Sequence, residues 1–191
     1  MSVGEMTDGK LRILKAVATL LEDPSARVTI NQIAKTIHVT DAAIYRHYKS
    51  KDDIFSALLA YMETNLLGPL NAVQQDAQET EVRMSTIFHQ YMDFIEGHPG
   101  LARLFLGHGA SEAQGVAERV KMLHAKIRSQ LSQILRWGQA KSELNDKLSP
   151  EQATELFYGM LTAAAMAQVY GFPMVELEGR WDAFAQSVLA K

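Results

Sequence analysis

Residues 29–55 read TINQIAKTIHVTDAAIYRHYKSKDDIF, and the spacing of their apolar residues predicts two short helices joined by a tight turn at residues 38–39. Thr29 and Thr40 each precede one of these helices, where a threonine hydroxyl can accept a backbone N–H of the first turn. Gln32 can return the bond to the Thr29 backbone in a capping box. A further amphipathic helix before them completes a three-helix unit that contains a helix-turn-helix.

The second helix of such a pair enters the major groove of DNA, and its first residues meet base edges. Here it is predicted to begin at Asp41, just after the Thr40 hydroxyl. Small side chains follow, so the backbone can approach the groove and alanine methyls can touch thymine methyls. Polar and basic groups at the helix end suit phosphate oxygens, which position the protein. The residues predicted to contact DNA are Arg27, Thr29, Thr40, Asp41, Ala42, Ala43, Tyr45, His47, Tyr48, Lys49 and Lys51.

The local charge supports a nucleic-acid partner, although the whole chain is acidic. Residues 24–51 contain five Lys and Arg and one Asp, a net charge of +4, whereas the whole chain carries −3. The remaining residues therefore carry −7, so a basic head is joined to an acidic body. Structural alternatives stay open: Tyr45 or Tyr48 could serve mainly in packing, and His47 could be a solvated surface residue.

The composition argues against an enzyme, a metalloprotein and a membrane protein. The chain has no Cys, which removes disulfides, thiol nucleophiles and Cys-based zinc sites. It contains no phosphate-binding loop, dinucleotide fingerprint or nucleophile elbow, and its histidines lie too far apart to share a metal. No signal peptide is recognisable, and no apolar run is long enough to span a bilayer. We therefore expect a cytoplasmic protein without catalytic residues, cofactor or metal.

Helical periodicity continues through the rest of the chain. Ser50, followed by acidic residues, opens a fourth helix that the Gly-Pro pair at residues 68–69 is predicted to end. The SPEQ sequence at residues 149–152 is a strong helix start. The predicted fold is all-α with about nine helices. Residues 1–50 form a helix-turn-helix DNA-binding domain in this prediction, and residues 51–191 form a C-terminal helical dimerisation and regulatory domain.

The stretch Ile30-x-x-Ile-Ala34, followed by Val39-Thr-x-x-x-Ile44-Tyr-x-His-Tyr-x-Ser-Lys-x-x-Ile-Phe55, resembles the TetR family of bacterial regulators. The resemblance implies an all-helical protomer whose head binds a palindromic operator. It also implies a C-terminal region that dimerises and often binds a small-molecule effector. The first hypothesis is therefore a sequence-specific transcriptional regulator of the repressor type that binds double-stranded DNA as a homodimer.

The second half of the chain narrows this resemblance. The pattern His98-Pro-Gly-Leu-x-Arg103-x-x-x-Gly107-His108 is similar to a nucleoid occlusion subgroup of the family. The alternative hypothesis is thus a nucleoid-associated protein that, when bound to DNA, blocks assembly of the tubulin-like cell-division protein. A third hypothesis is a helical protein–protein module without DNA binding, because residues 1–9 contain no Lys or Arg where a basic arm is typical.

The TetR resemblance also implies where a second copy and an effector would bind. The last two helices of such protomers form a four-helix dimer interface, and the alternative for these residues is an intramolecular core. The interface candidates are Met160, Ala164, Ala167, Trp181, Phe184 and Val188. The candidates for an effector pocket, each of which could instead be a core residue, are His89, Tyr91, Met92, Phe105, Met122, Trp137, Met160 and Met166.

Overall fold

The computed structural model describes residues 7–74, 79–109, 113–145, 147–173 and 176–189. Regular structure in these ranges is helical, apart from one isolated bridge between Leu144 and Leu189, which confirms the all-α prediction. No helix in the described ranges is long and apolar enough to cross a membrane. The helices are α1 (Asp8–Glu22), α2 (Ile30–Thr36), α3 (Asp41–Tyr45), α4 (Lys51–Gln74), α5 (Thr80–Gly97), α6 (Pro99–Phe105), α7 (Val116–Ala140), α8 (Pro150–Tyr170) and α9 (Leu177–Val188).

Helix α4 shows that one sequence prediction is wrong, because it runs through the Gly-Pro pair at residues 68–69 and ends at Gln74. Met62, Leu66 and Leu70 lie one turn apart along α4, and all three side chains are buried. A proline inside a helix costs about 3 kcal/mol, whereas full burial of one leucine contributes about 1.5–3 kcal/mol. Burial that continues beyond the pair therefore offsets the lost backbone hydrogen bond.

The predicted helix caps are present. Thr29 Oγ1 accepts the Gln32 N–H at 3.2 Å, and Thr40 Oγ1 accepts a backbone N–H of α3 at 3.3 Å. The capping box predicted at Thr29 is not complete, because Gln32 Oε1 accepts from the Thr29 hydroxyl at 3.3 Å and not from the Thr29 backbone. At the start of α8 the capping box is complete, since Ser149 and Gln152 exchange hydrogen bonds of 3.2 and 2.9 Å. Each such cap contributes about 1 kcal/mol, which explains why these helix starts follow the sequence closely.

The chain forms two compact units. The first combines residues up to 65 with residues 97–122, and the second combines residues 66–96 with residues from 123 onward. The first unit thus contains the helix-turn-helix together with α6. The predicted domain boundary at residue 50 stays a prediction. Buried apolar side chains of α1 to α4 form the core of the first unit and include Ile13, Leu14, Val17, Ile33, Ile44, Ile54, Phe55 and Leu58.

Helix α6 packs directly on α1 within the first unit. An ideal Cβ placed on Gly100 would lie 1.8 Å from the backbone oxygen of Ala18. Only a residue without a side chain permits two backbones to approach this closely. Gly100 is therefore the point at which α6 is held against the first helix of the head.

An aromatic cluster forms the core of the second unit. The Phe157 ring centre lies 4.8 Å from that of Phe184 and 6.4 Å from that of Phe88. The Trp181 ring centre lies 6.0 Å from that of Phe88. These offset and edge-on arrangements are the favourable geometries for aromatic pairs. The cluster joins α5, α8 and α9.

Candidate nucleic-acid interface

Helix α3 has one buried side and one exposed side. Ile44 is 0 % exposed and anchors the helix to the core of the head. Thr40 and Ala42 are exposed, and Tyr45 keeps 53 % of its surface accessible. The buried isoleucine therefore directs the opposite side of α3, which carries polar and small residues, toward solvent.

Most of the predicted DNA contacts are accessible, but not all. Ala43 and Lys51 are half-buried, and Tyr48 is buried. The exposed members of the set are Arg27, Thr29, Thr40, Asp41, Ala42, Tyr45, His47 and Lys49. The structure thus brings these residues together in the helix-turn-helix, while their contact with DNA stays a prediction.

The turn between α2 and α3 is closed by hydrogen bonds. Val39 N donates to the Ala34 oxygen at 2.9 Å. His38 has a φ of 56°, a left-handed conformation that costs a non-glycine residue roughly 1–2 kcal/mol. From α1, Arg12 Nη2 donates to the Ile37 oxygen at 3.2 Å. These bonds hold α2 and α3 in one arrangement in the free protein.

Tyr48 belongs to the core of the head. It is 7 % exposed, and its buried hydroxyl makes no hydrogen bond to the described part of the chain. Burial raises the pKa of Tyr48 to about 12. The ring of Tyr48 therefore packs in the core of the head, as the structural alternative has it. A phosphate contact through its hydroxyl stays a prediction.

Lys51, at the start of α4, already donates a hydrogen bond within the protein. Its Nζ donates to the Val28 oxygen at 3.2 Å, which ties α4 to the segment before α2. The first turn of α4 is capped by Ser50, whose Oγ accepts the Asp53 N–H at 3.1 Å. Asp53 Oδ2 in turn accepts the Lys49 N–H at 3.1 Å. These hydrogen bonds hold the start of α4 in one orientation relative to the helix-turn-helix.

The first turn of α1 lies beside the residues that directly follow α3, the helix predicted to read DNA. The sequence did not reveal this contact. A Cβ on Gly9 would lie 2.6 Å from two atoms of the His47 ring. Lys10 Nζ lies 5.8 Å from the centre of the Tyr48 ring. These residues are almost forty positions apart in the chain, so only the packing of α1 brings Lys10 next to the predicted phosphate contacts.

Arg46 is a second residue that the sequence reasoning missed. It is exposed and follows Ala42 by four residues, so it lies on the same side of the reading helix. The signal was available, because a spacing of four places two residues on one helix face. An exposed guanidinium there can bind a phosphate or a guanine edge.

Most candidates for the dimer interface are covered within the protomer. Trp181, Phe184 and Val188 have exposed fractions of 7, 2 and 1 %. Ala164 and Ala167 are also buried, and Met160 is half-buried. A side chain already covered in the protomer has almost no surface left to bury against a second copy. This burial favours the intramolecular alternative for Trp181, Phe184 and Val188, and the interface itself stays a prediction.

A different side of α8 is exposed and apolar. Leu156, Met166 and Tyr170 keep 45, 41 and 49 % of their surfaces accessible. Gly159 and Ala163 are exposed on the same face, at spacings of three and four residues. The name outer α8 face is used below for these five residues.

The candidates for an effector pocket lie partly in the core and partly on the surface. Tyr91, Met92 and Phe105 are core residues, with exposed fractions of 5, 3 and 1 %. Met122 and Met166 are exposed, whereas His89 and Trp137 are half-buried. The cavity next to Trp137 is lined by Arg83, Gln133 and Ile134 and by none of the other candidates. Burial favours the core alternative for Tyr91, Met92 and Phe105, and the effector pocket stays a prediction.

An exposed reading face on a helix-turn-helix, followed by a helical body, defines the class of DNA-binding regulatory proteins. Residues 13–58 match the family described as bacterial regulatory proteins, tetR family. Residues 78–187 match a SlmA-like domain described as tetracyclin repressor-like, C-terminal domain. The chain belongs to the TetR family.

Curated relatives extend over most of the chain. The nucleoid occlusion factor SlmA of Sodalis glossinidius is 34% identical, across 88% of this chain and 89% of the relative. The nucleoid occlusion factor SlmA of Serratia proteamaculans is 32% identical, across 91% of each. These matches include both the head and the C-terminal helices.

Solved structures share the fold at much lower identity. The ketosteroid transcriptional regulator KstR2 of Mycobacterium tuberculosis has a TM-score of 0.75 and 14% identity, with 98% of each chain covered. AibR, solved with isovaleryl coenzyme A and operator DNA, has a TM-score of 0.71 and 15% identity, with 94% of this chain and 97% of AibR covered. This likeness concerns the fold alone.

Proposed function

We propose that this protein binds a two-fold symmetric DNA site as a homodimer and reads base edges with the exposed side of α3. The observation that carries the proposal is fully buried Ile44, which anchors α3 while Ala42 and Tyr45 on the helix and Thr40 at its N-terminal end stay exposed. In helix-turn-helix dimers the two reading helices enter major grooves about 34–36 Å apart. We therefore expect two half-sites related by a dyad.

The contacts divide into base reading and phosphate binding. Thr40 and Ala42, at the N-terminal end of α3, are assigned to base edges, because this end of a reading helix meets them. Arg46, Lys49 and Lys10 are assigned to phosphates or, for Arg46, also to guanine. Phosphate contacts fix the register without reading the sequence. Residues 1–9 contain no Lys or Arg, so Lys10 is the first cation of the chain that can serve in place of a basic arm.

The outer α8 face is proposed as the dimer interface. Leu156, Met166 and Tyr170 supply apolar surface, and Gly159 lies between them with no atom within 4 Å of an added Cβ. Small residues let two helices approach closely, and the flanking large residues bury area when they do. This replaces the buried side of α8 and α9 that the sequence favoured.

We further propose that the DNA-bound dimer is nucleoid-associated and acts in nucleoid occlusion, with the tubulin-like division protein as its partner. One observation supports this output over local gene repression. The curated relatives named above are nucleoid occlusion factors and match about nine-tenths of the chain.

DNA binding is tested by fluorescence anisotropy on DNA fragments over a range of salt concentrations. We expect log affinity to fall linearly with log salt, by about 0.9 for each phosphate neutralised. Thr40→Ser keeps the cap and a hydroxyl, whereas Thr40→Val removes the hydroxyl and changes base preference. Binding that shows neither salt dependence nor sequence preference would refute the DNA proposal and leave the protein–protein hypothesis.

The two outputs are separated by mapping binding sites in the cell. Sites dispersed over the chromosome, together with altered sedimentation of division-protein polymers when DNA-bound dimer is added, support nucleoid occlusion. A single site beside the protein's own gene, with polymers unaffected, supports a local repressor. DNA without its cognate site serves as the control in the sedimentation assay.

A further inference from the structure

An aromatic pair stands exposed at the C-terminal end of α8. Tyr170 and Phe172 stack with their ring centres 5.5 Å apart and an angle of 24° between the ring planes. Gly171 between them is left-handed, with a φ of 67°, and the Phe172 N–H donates to the Ala167 oxygen at 3.1 Å. This helix end directs Phe172 back onto Tyr170. Phe172 nevertheless keeps 56 % of its surface accessible, so the protomer holds an aromatic ring in place without covering it.

A shallow groove of about 620 Å³ lies at the other end of α8. Leu148, which is half-buried, and Leu156, which is exposed, give it apolar surface. Its other lining residues are Glu151, Gln152 and Glu155. Both carboxylates of the groove form ion pairs with arginines of α7. An apolar ring that enters the groove therefore meets leucine side chains and carboxylates whose charge is already compensated.

The outer α8 face has the residue spacing of a packed helix pair. From Leu156 to Tyr170 its successive steps are three, four, three and four residues. This alternation repeats every seven residues, and it keeps two helices side by side at a crossing angle of about 20° over several turns. A second α8 on this face therefore stays in contact along its whole length, and the ends of the two helices meet.

The face is complementary to itself when two α8 helices run antiparallel about a two-fold axis between Gly159 and Ala163. Gly159 then lies opposite Ala163 of the partner subunit, so small residues meet at the axis and let the helices approach closely. Leu156 lies opposite Met166 of the partner subunit, so large apolar side chains flank the axis on both sides. Farther out, the aromatic pair of each copy reaches the groove at the start of α8 in the other.

We propose that the Tyr170–Phe172 pair of each copy sits in the groove at the start of its partner's α8, with the two-fold axis between Gly159 and Ala163. This inference rests on the proposed dimer at the outer α8 face, and it adds the register of that dimer and its anchor. Rings that are already held in place lose little conformational entropy on binding. Phe172, which lies outside the outer α8 face, is assigned as the anchor.

The exposed apolar area fits a second copy as the occupant. An aromatic side chain buries 150–250 Å² in full, so the half-exposed rings offer about 100 Å² each. With Leu156 and Met166 the exposed apolar surface is roughly 300 Å² per copy. A standard interface buries about 800 Å² on each partner, of which somewhat more than half is apolar. The patch therefore supplies most of the apolar part of a dimer interface, and a two-fold axis brings it together twice.

Disulfide trapping tests the register, because the chain contains no Cys. In the double variant Leu156→Cys with Met166→Cys, a thiol of one copy faces a thiol of the other, and we expect oxidation to give a covalent dimer. In each single variant the two thiols lie ten residues apart, about 15 Å along the helix. The Cα atoms of a disulfide are at most about 6.8 Å apart. The single variants should therefore not be crosslinked, and equal crosslinking of single and double variants would overturn the register.

Phe172→Ala tests the anchor by sedimentation equilibrium. Burial of about 60 Å² of apolar surface corresponds to a tenfold change in affinity, and a dimer contains two such rings, so Kd should rise about a hundredfold. Val82→Ala on α5 is the matched control, because it truncates an exposed apolar side chain outside the proposed interface, and its Kd should equal that of the parent protein. Both variants change exposed side chains, and circular dichroism verifies their folding.

The results separate this inference from the proposed function. An unchanged Kd for Phe172→Ala overturns the anchor. A parent dimer whose double cysteine variant gives no covalent dimer refutes the register and leaves the proposed dimer intact. A parent chain that sediments as a monomer refutes the proposed dimer, and the inference with it.

Discussion

Replacement of Gly100 by alanine tests the closest backbone approach in the first unit. The added Cβ would lie 1.8 Å from the Ala18 oxygen and 2.8 Å from the Ala18 carbonyl carbon. A carbon and an oxygen in contact lie about 3.3 Å apart. The helices α1 and α6 must therefore separate by roughly 1.5 Å, or α6 must leave α1.

The loss of stability is expected to lie at the upper end of the range that overpacking causes. Inserting a methyl group into a packed interior costs about 1–3 kcal/mol when side chains can adjust. Here the obstructing atoms are backbone, which cannot rotate away, so we expect a loss of about 3 kcal/mol. For a chain of this size, 1 kcal/mol corresponds to about 2–4 °C in Tm, so the expected decrease is about 6–12 °C.

Thermal and urea unfolding, followed by circular dichroism at one fixed protein concentration, measure this change. Gly97→Ala is the matched control, because Gly97 is an exposed residue at the end of α5 with no atom within 4 Å of an added Cβ. That variant should be stabilised by up to about 1 kcal/mol, since alanine loses less conformational entropy in a helix. If Gly100→Ala unfolds within 1 °C of the parent protein, α6 does not approach α1 as described.

Three further changes test the interface assignments and the buried tyrosine. Lys10→Ala should lower the slope of log DNA affinity against log salt by about 1.8, or 0.9 for each of the two copies in the dimer. Lys121→Ala on α7 should leave the slope unchanged, and equal slopes for the two variants would remove Lys10 from the DNA contacts. Tyr170→Glu places a charge on the outer α8 face and should convert the dimer to a monomer in sedimentation equilibrium. Gln168→Glu adds the same charge outside this face and should leave the dimer intact. A dimeric Tyr170→Glu variant would contradict this interface. Because burial raises the folded-state pKa of Tyr48 to about 12 from the ordinary tyrosine value of 10.0, its stabilising contribution is complete below pH 10 and is lost as pH rises through 12. Tyr48→Phe should therefore lose less stability than the parent protein between pH 10 and 12 in urea titrations, and identical losses would place Tyr48 in solvent.

The reading head was predictable because its signals are local. Thr29 and Thr40 cap helices through residues three positions away, and the structure has both caps. Ile44 belongs to the apolar pattern that predicts the two short helices, and it is fully buried. Such interactions depend on the nearby chain, so a sequence read in order contains them.

The end of α4 was not predictable from local signals. A Gly-Pro pair disfavours helix at residues 68–69, yet Leu70 beyond it is buried and the helix continues. The result is a competition between a local penalty and a tertiary gain of similar size. The size of that gain depends on which other side chains cover Leu70, and no local pattern contains this information.

The burial of the dimer candidates has a related reason. The TetR resemblance pointed to α8 and α9, but Trp181 and Phe184 are covered by Phe88 and Phe157 of the same protomer. The exposed apolar residues lie on the other side of α8. Composition and periodicity give the number of apolar faces, whereas the protomer core decides which face is left for a partner.

By itself, the sequence determined the helical class, the helix-turn-helix and its caps, because bonds within one or two turns set them. Only the tertiary structure placed Lys10 beside Tyr48, brought Gly100 against Ala18, and turned the outer α8 face to solvent. Each of these depends on packing between segments that are far apart in the chain. The free energy of such packing comes from surface buried jointly by both segments, so neither segment specifies it alone.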